Sequence, residues 1–503
     1  MYKNLEFRRQ FLLTRNPVNL LSKWRYLKFG KYYFYSHPDL EINKVALEKT
    51  SILLIGNIYD SLAPEKKNID ILKDIISIAE NISIVASSVK QYSGTYVLLY
   101  KNKGEYFIFN DARAIRELYY CTIDNIVVCG SQPNLMYQFS NPKIKPSNNP
   151  ELLDFYNNHL WDSRWVGNET YFEGIKHLQP NHCLDINRKN VIRYWPNEPI
   201  RRLSLEEAVS KCCVFLQGTM KAIVNRHPAM MSVTAGTDSR TLLAASKEIR
   251  NNIYYFINDN SLGNSHPDIA VSKKIFNAIN VPFNVHKVSK SVDEQFRKIY
   301  LNNTFLATER MLPSIYNIFF KEHSEKIFIL GVGEIGRTFY GKEPRKLNSY
   351  QMAYKLTYNN CSYVVKQCDN FIIEMLPVAR KYGINFLELL YWEQRLGYWG
   401  GVRNSESLIA IEKVDPYNSH LINEIFFGVD EKYRDIRQNP CILFREMIRN
   451  MWPELLEWPF NPAYGTRDKI VKLLEKMRLF SLFKELKYQM NYIMYKFKNR
   501  LDG

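Results

Sequence analysis

In the second part of the chain, short apolar segments alternate with helical patterns, and this alternation limits the possible folds more than any other feature. Residues 229–246 are typical of a strand, a turn of small residues and a helix. A second apolar strand at 253–259 precedes a helix around 267–279, and a third strand at 327–336 ends in glycines. Strands that alternate with helices predict a parallel α/β sheet. From about residue 345 the pattern is mainly helical.

The first 195 residues carry a different pattern, which is typical of antiparallel β structure. An amphipathic helix is predicted at 69–82, between two strand-like segments. Short apolar runs closed by Gly, Asn, Asp or Ser recur around it, with few helical patterns between them. The clearest of these runs are 51–60, 94–100, 105–111 and 125–131. They predict stacked antiparallel sheets.

The length and charge of the chain narrow its organisation and its partners. At 503 residues it exceeds what one core usually supports, so we predict domains at 1–200 and 201–470, with a basic amphipathic helical tail at 471–503. The chain holds 68 Lys and Arg against 51 Asp and Glu, a net charge of +17 that favours acidic partners. We expect no nucleic-acid binding, since only the charge points to it. The tail is expected either to be solvated or to contact an anionic membrane surface.

Two further absences in the sequence bear on location and chemistry. There is no window of about 18 consecutive apolar residues, so no transmembrane helix is expected. The eight cysteines form no CxxC pair, and no spacing typical of zinc ligands occurs. Reduced thiols in a cytoplasmic protein are therefore expected.

The turn at 232–240 is the strongest candidate for a chemical site. A buried strand runs into small residues and then a helix, so backbone N–H groups and the helix N-terminus would attract an anion. The hydroxyls of Thr234 and Ser239 can donate to phosphate oxygens. Phosphate would repel Asp238 unless a divalent cation lay between them, so Asp238 implies Mg²⁺. An ordinary turn between a strand and a helix, capped by Asp or Ser, remains an equal alternative.

A second glycine-rich loop, at 331–337, follows the third predicted strand. Ligands of open parallel sheets bind at the carboxyl ends of the strands, so both loops are expected to face one crevice. Glu334 could act as a base or position a metal, and Arg337 could hold an anion. A glycine bend with a surface ion pair is the alternative interpretation.

These loops resemble motifs of the asparagine synthetase family of amide ligases. The sequence TAGTDS at 234–239 is similar to the family's SGGxDS pyrophosphate loop, and 331–337 is similar to its second Gly/Glu loop. The resemblance spans roughly 50–470. Further matches fall, in chain order, at 94–96, 110–120, 172–175, 178–182, 194–195 and 415–418.

The resemblance implies a fold, a ligand set and site residues. It implies an Ntn-hydrolase-like glutaminase domain followed by a PP-loop ATP-pyrophosphatase domain that binds ATP and Mg²⁺. Asp238 would hold the metal, and Glu334 and Lys469 would be catalytic, with Arg467 as an alternative to Lys469. The ATP-binding residues would be Thr234, Ala235, Gly236, Asp238, Ser239, Ile257, Val332, Gly333 and Arg337.

Departures from the family pattern put part of its chemistry in doubt. Glutamine-using members have Cys after the initiator Met, where this chain has Tyr2. Ile55 and Asn57 replace the Asn and Glu that bind glutamine in the family. We therefore expect no glutaminase activity, so that nitrogen comes from ammonia, an amine or a separate donor protein. The family also has an Asp-Glu pair that follows the position of Glu334 and helps to bind Mg²⁺. This chain lacks that pair, so we expect weaker binding of Mg²⁺.

The expected function is ATP-dependent formation of an amide. A carboxylate, aspartate or a related acid, would be adenylated and transferred to ammonia or an amine, with release of AMP and pyrophosphate. A homodimer is expected. The first alternative is an ATP-binding scaffold or regulator without catalysis. A membrane-peripheral assembly protein and a sulfur-transfer or tRNA-modifying relative are further alternatives.

Overall fold

The computed structural model describes residues 2–18, 23–139, 144–162, 164–259, 263, 265–358, 361–466, 470, 486 and 488–495. Lys469, its alternative Arg467 and most of the predicted tail at 471–503 lie outside the described residues. Below, the N-terminal half means residues up to 200 and the C-terminal half means those from 201 onwards.

The N-terminal half is built mainly from antiparallel strands. Its strands are β1 (Phe11–Thr14), β2 (Arg25–Phe29), β3 (Tyr32–Ser36), β4 (Ile42–Leu47), β5 (Thr50–Tyr59), β6 (Ser93–Asn102), β7 (Glu105–Asn110), β8 (Tyr119–Ile123), β9 (Ile126–Gly130), β10 (Lys176–His177), β11 (His182–Asp185) and β12 (Asn190–Arg193). Its helices are α1 (Asn68–Ser77), α2 (Ile82–Ser88), α3 (Pro133–Phe139) and α4 (Pro150–Asp154), with 3₁₀ turns at Lys3–Leu5 and Val89–Gln91 and a π turn at Phe155–His159.

These strands form two sheets that pack face to face between helices. One sheet has the order β10-β8-β9-β1-β3-β2, and the other has the order β12-β11-β7-β6-β5-β4. Side chains alternate along β1, so Leu13 enters the core between the sheets while Leu12 faces α3 on the outside. On the far side, Ile71 and Leu72 of α1 cover the second sheet. The predicted stacked antiparallel sheets are therefore confirmed.

The sequence analysis predicts a single helix at 69–82, and this prediction is wrong in one respect. The structure has two helices in this region. α1 ends at Ser77, and α2 begins at Ile82. The side chain of Asn81 accepts a hydrogen bond of 3.1 Å from the Ile84 amide and so caps a new helix. The cap residue therefore starts a second helix where the apolar periodicity alone indicated continuity.

The C-terminal half combines a parallel sheet with many helices. Its strands are β13 (Ala229–Ser232), β14 (Ile253–Asn258), β15 (Phe283–His286), β16 (Ile327–Ile329) and β17 (Glu412–Val414). Its helices are α5 (Leu205–Arg226), α6 (Thr237–Ala245), α7 (Pro267–Ala278), α8 (Glu294–Asn303), α9 (Leu312–Ser314), α10 (Ser349–Lys355), α11 (Ser362–Tyr382), α12 (Phe386–Tyr391), α13 (Gly397–Ser405), α14 (His420–Gly428) and α15 (Ile442–Met451). Shorter 3₁₀ turns lie at Lys247–Asn252, Glu334–Gly336, Glu431–Tyr433 and Pro453–Glu457, and π turns lie at Ile315–Phe320 and Trp392–Leu396.

All strand pairs of this sheet are parallel, and the order is β15-β14-β13-β16-β17. The predicted α/β class is thus confirmed, with two outer strands that the sequence analysis did not predict. Helix α6 leaves the carboxyl end of the central strand β13, and the 331–337 loop leaves the carboxyl end of its neighbour β16. Both candidate loops therefore lie at the same edge of one sheet.

A buried polar contact joins the two halves behind these loops. Arg113 follows β7 and donates hydrogen bonds to Asp415 Oδ2 at 3.1 Å, to the Val332 carbonyl at 2.7 Å and to Asn423 Oδ1 at 2.7 Å. The Arg113 and Asp415 side chains are both fully buried. The N-terminal half thus supports the 331–337 loop directly.

Part of the predicted tail is described, and it is helical. Leu486 and residues 488–495 lie in helix, and the rings of Tyr488, Tyr492 and Tyr495 approach Tyr350 of α10 at 5.8, 5.1 and 4.8 Å. Within the described ranges, every helix is too short or too polar to cross a membrane. Contact of the tail with a membrane surface stays a prediction.

Candidate functional site

A cleft of about 540 Å³ opens at the carboxyl edge of the parallel sheet. Both predicted loops contribute to it, as expected from their positions after β13 and β16. The predicted site residues that line it are Thr234, Gly236, Asp238, Ser239, Val332 and Arg337. The expectation that both loops face one crevice is therefore confirmed, and the roles of these residues stay predictions.

The loop at 234–239 is held by its own hydroxyl groups. Ser239 Oγ accepts a hydrogen bond of 3.1 Å from the Thr234 amide, and it lies 3.1 Å from Thr234 Oγ1. Thr234 Oγ1 in turn accepts from the Gly236 amide at 3.1 Å. The hydroxyls that were predicted to bind phosphate therefore also shape the turn that presents them.

A carboxylate from the next helix occupies part of the loop. The Ala235 amide donates to Asp268 Oδ1 at 2.9 Å, where Asp268 lies in the first turn of α7. Ala235 itself is fully buried and does not line the cleft. One N–H of the predicted anion nest thus already has an anionic acceptor within the chain.

The central electrostatic feature of the cleft is the pair formed by Asp238 and Arg337. Arg337 Nη2 donates to Asp238 Oδ2 at 2.8 Å, and each side chain is 16% exposed. Burial raises the pKa of the Asp238 carboxyl to about 6, Arg337 opposes this, and the nearby Glu334 charge adds to it. The two loops are therefore joined by an ion pair at the point where the sequence analysis placed a metal.

Arg240 anchors the loop at 234–239 to a distant segment of the chain. The sequence analysis did not predict this role. Arg240 is fully buried and donates to the carbonyls of Trp458 and Pro459 at 2.8 and 2.9 Å. The Asn461 amide donates to the Ala235 carbonyl at 3.0 Å. Residues 458–461 thus brace the first loop, although they lie more than 200 positions away in the sequence.

Several predicted site residues do not line the cleft. Glu334 accepts a hydrogen bond from the Tyr391 hydroxyl, which directs its carboxylate toward α12. Ile257 is buried within β14, and Gly333 packs close to Asp238 without lining the cleft. The apolar part of the lining comes instead from side chains such as Met311, Phe328 and Trp399. The catalytic role of Lys469 stays a prediction, since that residue is outside the described ranges.

Lys413 of β17 lines the cleft, and the sequence analysis did not single it out. Its side chain is buried, and its ammonium group donates to the Arg403 carbonyl at 3.0 Å. Burial lowers the pKa of Lys413 to about 8. A lysine in such a position carries a positive charge at neutral pH and can lose it in mildly alkaline solution.

Arginine side chains dominate the other end of the cleft, where the N-terminal half contributes Asp162. Arg403 donates a hydrogen bond to Asp162, and Arg310 lies 3.8 Å from the same carboxylate. The titratable side chains in the lining are Asp162, Asp238, Arg310, Arg337, Arg403 and Lys413. Four cations against two carboxylates make the cleft attractive to anions.

Asn57 and Tyr2, two of the positions from which we predict an absence of glutaminase activity, make contacts in different parts of the structure. Asn57 Oδ1 accepts from Asn68 at 3.2 Å and from Arg226 of α5 at 3.0 Å. Tyr2 lies elsewhere, where its ring packs edge-on against Phe296 of α8 at 5.8 Å. The structure therefore does not bring Tyr2 to the Asn57 segment.

The similarity of this chain to the solved structures named below is low. No protein-family model matches the chain, and no curated protein matches it. Among solved structures, the chain is similar to glutamine phosphoribosylpyrophosphate amidotransferase from B. subtilis complexed with ADP and GMP, at 11% identity and a TM-score of 0.25, over 58% of this chain and 90% of the other. It is also similar to a structure described as the allosteric regulatory enzyme of purine biosynthesis, at 10% identity and a TM-score of 0.24, over 71% and 73% of the two chains. At these TM-scores neither alignment carries an argument about this chain.

Proposed function

We propose that the chain is an ATP-dependent ligase of the asparagine synthetase type, which adenylates a carboxylate and transfers the acyl group to ammonia or an amine. The observation that carries this proposal is the cationic cleft at the carboxyl edge of the parallel sheet, lined by both predicted loops. Aspartate or a related small acid is the proposed carboxylate substrate. We further propose that the N-terminal half supports the cleft and does not hydrolyse glutamine.

The proposed reaction has two steps. A carboxylate oxygen of the acid attacks the α-phosphorus of ATP, the bond to the β-phosphate oxygen breaks, and pyrophosphate leaves. The amine then attacks the acyl carbon, the bond to AMP breaks, and the surplus proton of the amine passes to solvent. Each step moves negative charge onto phosphate oxygens, so fixed cations near these oxygens favour it.

Named side chains of the cleft fit these requirements. Arg337 and Lys413 would neutralise phosphate charge, and the hydroxyls of Thr234 and Ser239 would donate to phosphate oxygens. Phe328 and Trp399 offer an apolar surface against which a nucleotide base can pack. Catalysis would come from positioning the two substrates rather than from a covalent intermediate on the protein.

The residues also fit a Mg²⁺ ion that arrives with the nucleotide. Asp238 Oδ1 is buried and makes no hydrogen bond of ordinary geometry among the residues that the structure describes, although the Gly333 amide is close enough to lower the pKa of this carboxyl. Mg²⁺ bound to nucleotide phosphates commonly takes one or two carboxylates from the protein, so Asp238 would hold it. When bound, the ion would neutralise charge on the departing pyrophosphate. Arg337 would then be free to pair with phosphate.

A second function, binding of ATP without catalysis, is favoured by one specific observation. Two groups of the loop at 234–239 already have partners within the chain. Asp238 accepts a hydrogen bond from Arg337, and the Ala235 amide donates one to Asp268. In a scaffold or regulator these pairs would stay formed, and nucleotide would bind only to the remaining cations. This alternative predicts ATP binding without turnover.

The proposal is tested by ATP–pyrophosphate exchange with the full chain, Mg²⁺ and a panel of carboxylates that includes aspartate. Exchange that depends on one carboxylate, and that disappears in Asp238→Ala, would support an adenylating ligase. Binding of ATP measured by calorimetry, with no exchange for any carboxylate in a panel of amino acids, peptides and sugar acids, would favour the scaffold.

The charge of Lys413 gives a pH dependence that can be measured separately. We expect affinity for ATP to fall roughly three- to tenfold between about pH 7 and pH 9, because Lys413 loses its proton near pH 8. Lys413→Arg stays protonated over this range and should bind equally well at both pH values. Lys413→Met should bind weakly at both. A fall with pH that persists unchanged in Lys413→Arg would contradict this assignment.

A further inference from the structure

A cluster of metal-binding side chains lies apart from the cleft. His286 is the last residue of β15, the outer strand of the parallel sheet, and Glu322 and His323 follow the π turn at Ile315–Phe320. The fold brings together ligand atoms from these two segments, and all three atoms lie within 4.8 Å of one another. Their wide separation in the sequence explains why no ligand spacing was visible there.

The distances within the cluster are close to those of a bound metal ion. His286 Nδ1 lies 3.9 Å from Glu322 Oε2, and His323 Nε2 lies 4.0 Å from the same oxygen. Ligand atoms at about 2.0–2.2 Å from a tetrahedral zinc ion are roughly 3.3–3.5 Å apart. Small side-chain rotations, on the order of 1 Å or less, would therefore close the cluster around an ion.

The ring nitrogens of His323 are available to a ligand. The residue is only 9% exposed, and both ring nitrogens are buried without a hydrogen-bond partner among the described residues. Buried polar atoms nearly always have a partner, since an unpaired one costs free energy. A metal ion on Nε2 would provide the missing interaction.

Tyr254 contacts the ring nitrogen of the second histidine that is not proposed as a ligand. Its hydroxyl lies 3.1 Å from His286 Nε2, on the side of the ring opposite the cluster. Histidine ligands commonly donate their other ring N–H to a neighbouring oxygen, which fixes the ring and its tautomer. When Nε2 donates to the Tyr254 hydroxyl, Nδ1 of His286 is the acceptor that faces Glu322 and His323.

Burial affects the charge of both imidazoles. Burial lowers the pKa of His286 and of His323, and the Lys326 ammonium lowers that of His323 further. Only the neutral ring can ligate a metal, and burial disfavours the protonated form of both rings. Lys326 itself is paired with Glu325, which limits its repulsion of an incoming cation.

We propose that His286, Glu322 and His323 form a binding site for a divalent transition-metal ion of the zinc class. Two imidazoles and one carboxylate make a donor set that zinc accepts in proteins, and a fourth position stays open for water. Imidazole ligands disfavour Mg²⁺ and Ca²⁺, which prefer oxygen. The site would tie the end of the outer strand β15 to the segment that precedes β16.

The test is a Zn²⁺ titration of the untagged full chain after removal of metals with a chelator, monitored by competition with a chromogenic chelator. We expect one Zn²⁺ per chain with the wild type. His323→Ala and His286→Ala should each weaken binding by more than the roughly 10- to 100-fold that the loss of an outer-shell partner costs. Tyr254→Phe should weaken binding within that range.

Two further variants keep the test decisive if a histidine variant unfolds. Glu322 is about half exposed, so Glu322→Gln should fold normally and still lose affinity. His159→Ala is the matched control, because His159 is a partly exposed histidine on the π turn at Phe155–His159, far from the cluster in sequence. Absence of binding by the wild type, binding that survives in Glu322→Gln and the histidine variants, or an equal loss in His159→Ala would each overturn the proposal.

Discussion

Replacing Arg113 with methionine is expected to lower the free energy of unfolding by about 3–5 kcal/mol, the cost of removing one partner from a buried ion pair. Arg113 and Asp415 are both fully buried, so the remaining carboxylate would have no solvent to stabilise its charge. The Val332 carbonyl and Asn423 Oδ1 would lose a donor in the same change. Urea denaturation of the full chain, followed by circular dichroism, measures the effect.

A surface pair provides the matched control for Arg113→Met. Arg297 on α8 pairs with Glu309 and Glu294 in solvent, and its side chain is 38% exposed. Exposed pairs contribute at most about 1 kcal/mol, so Arg297→Met should cost little. Equal losses in the two variants would show that the Arg113 contact does not hold the halves together.

The pH dependence of the Arg113 variant has a definite sign. Burial raises the pKa of Asp415, and the Arg113 guanidinium opposes this rise. Without Arg113 the folded-state pKa rises further above the unfolded value, so the stability that a protonated Asp415 provides is lost as pH rises. The deficit relative to wild type should therefore widen above about pH 7, the pKa of Asp415 in the wild type. Adding Asp415→Asn should recover part of the loss and remove this pH dependence.

The sequence predicted the central elements of the fold because their patterns are local. Strands β5, β6, β7 and β9 are apolar runs bounded by polar or turn residues, and β13 and β14 are buried on both faces. The outer strands β15 and β17 escaped prediction for physical reasons. β15 is half-buried throughout, and β17 consists of Glu412, Lys413 and Val414. Neither short segment has the apolar character on which the prediction of a strand depends.

The sequence analysis predicted only those parts of the candidate site that are formed by residues adjacent in the sequence. The loop after β13 and the loop after β16 could be identified from glycines and small residues at strand ends. Lys413, Arg403 and Asp162 reach the cleft from distant segments, and their positions follow from tertiary packing alone. The same is true of Arg240, whose burial against residues 458–460 no local pattern indicates. Packing of this kind brings charges from distant segments together without any sequence signature.

Asp238 has two competing assignments, and one substitution separates them. In the proposed ligase it holds Mg²⁺ and positions the pyrophosphate, whereas in a scaffold it serves only to pair with Arg337. Asp238→Asn keeps the shape and removes the charge. We expect ATP–pyrophosphate exchange to fall by about 100- to 1,000-fold, the usual range for loss of one group that stabilises transition-state charge. Asp268→Asn keeps the acceptor for the Ala235 amide and should change exchange much less.

Nucleotide affinity measured with and without Mg²⁺ then distinguishes the two roles of Asp238. If Asp238 binds the ion, wild-type affinity for ATP should fall when Mg²⁺ is chelated, because the carboxylate then repels the phosphates. Asp238→Asn should bind metal-free ATP more tightly than wild type does, since Arg337 is released to pair with phosphate. Under the scaffold alternative, Mg²⁺ would have the same effect on both proteins. A wild type whose affinity does not respond to Mg²⁺ would therefore argue that the Asp238–Arg337 pair is permanent and that the cleft binds nucleotide without activating it.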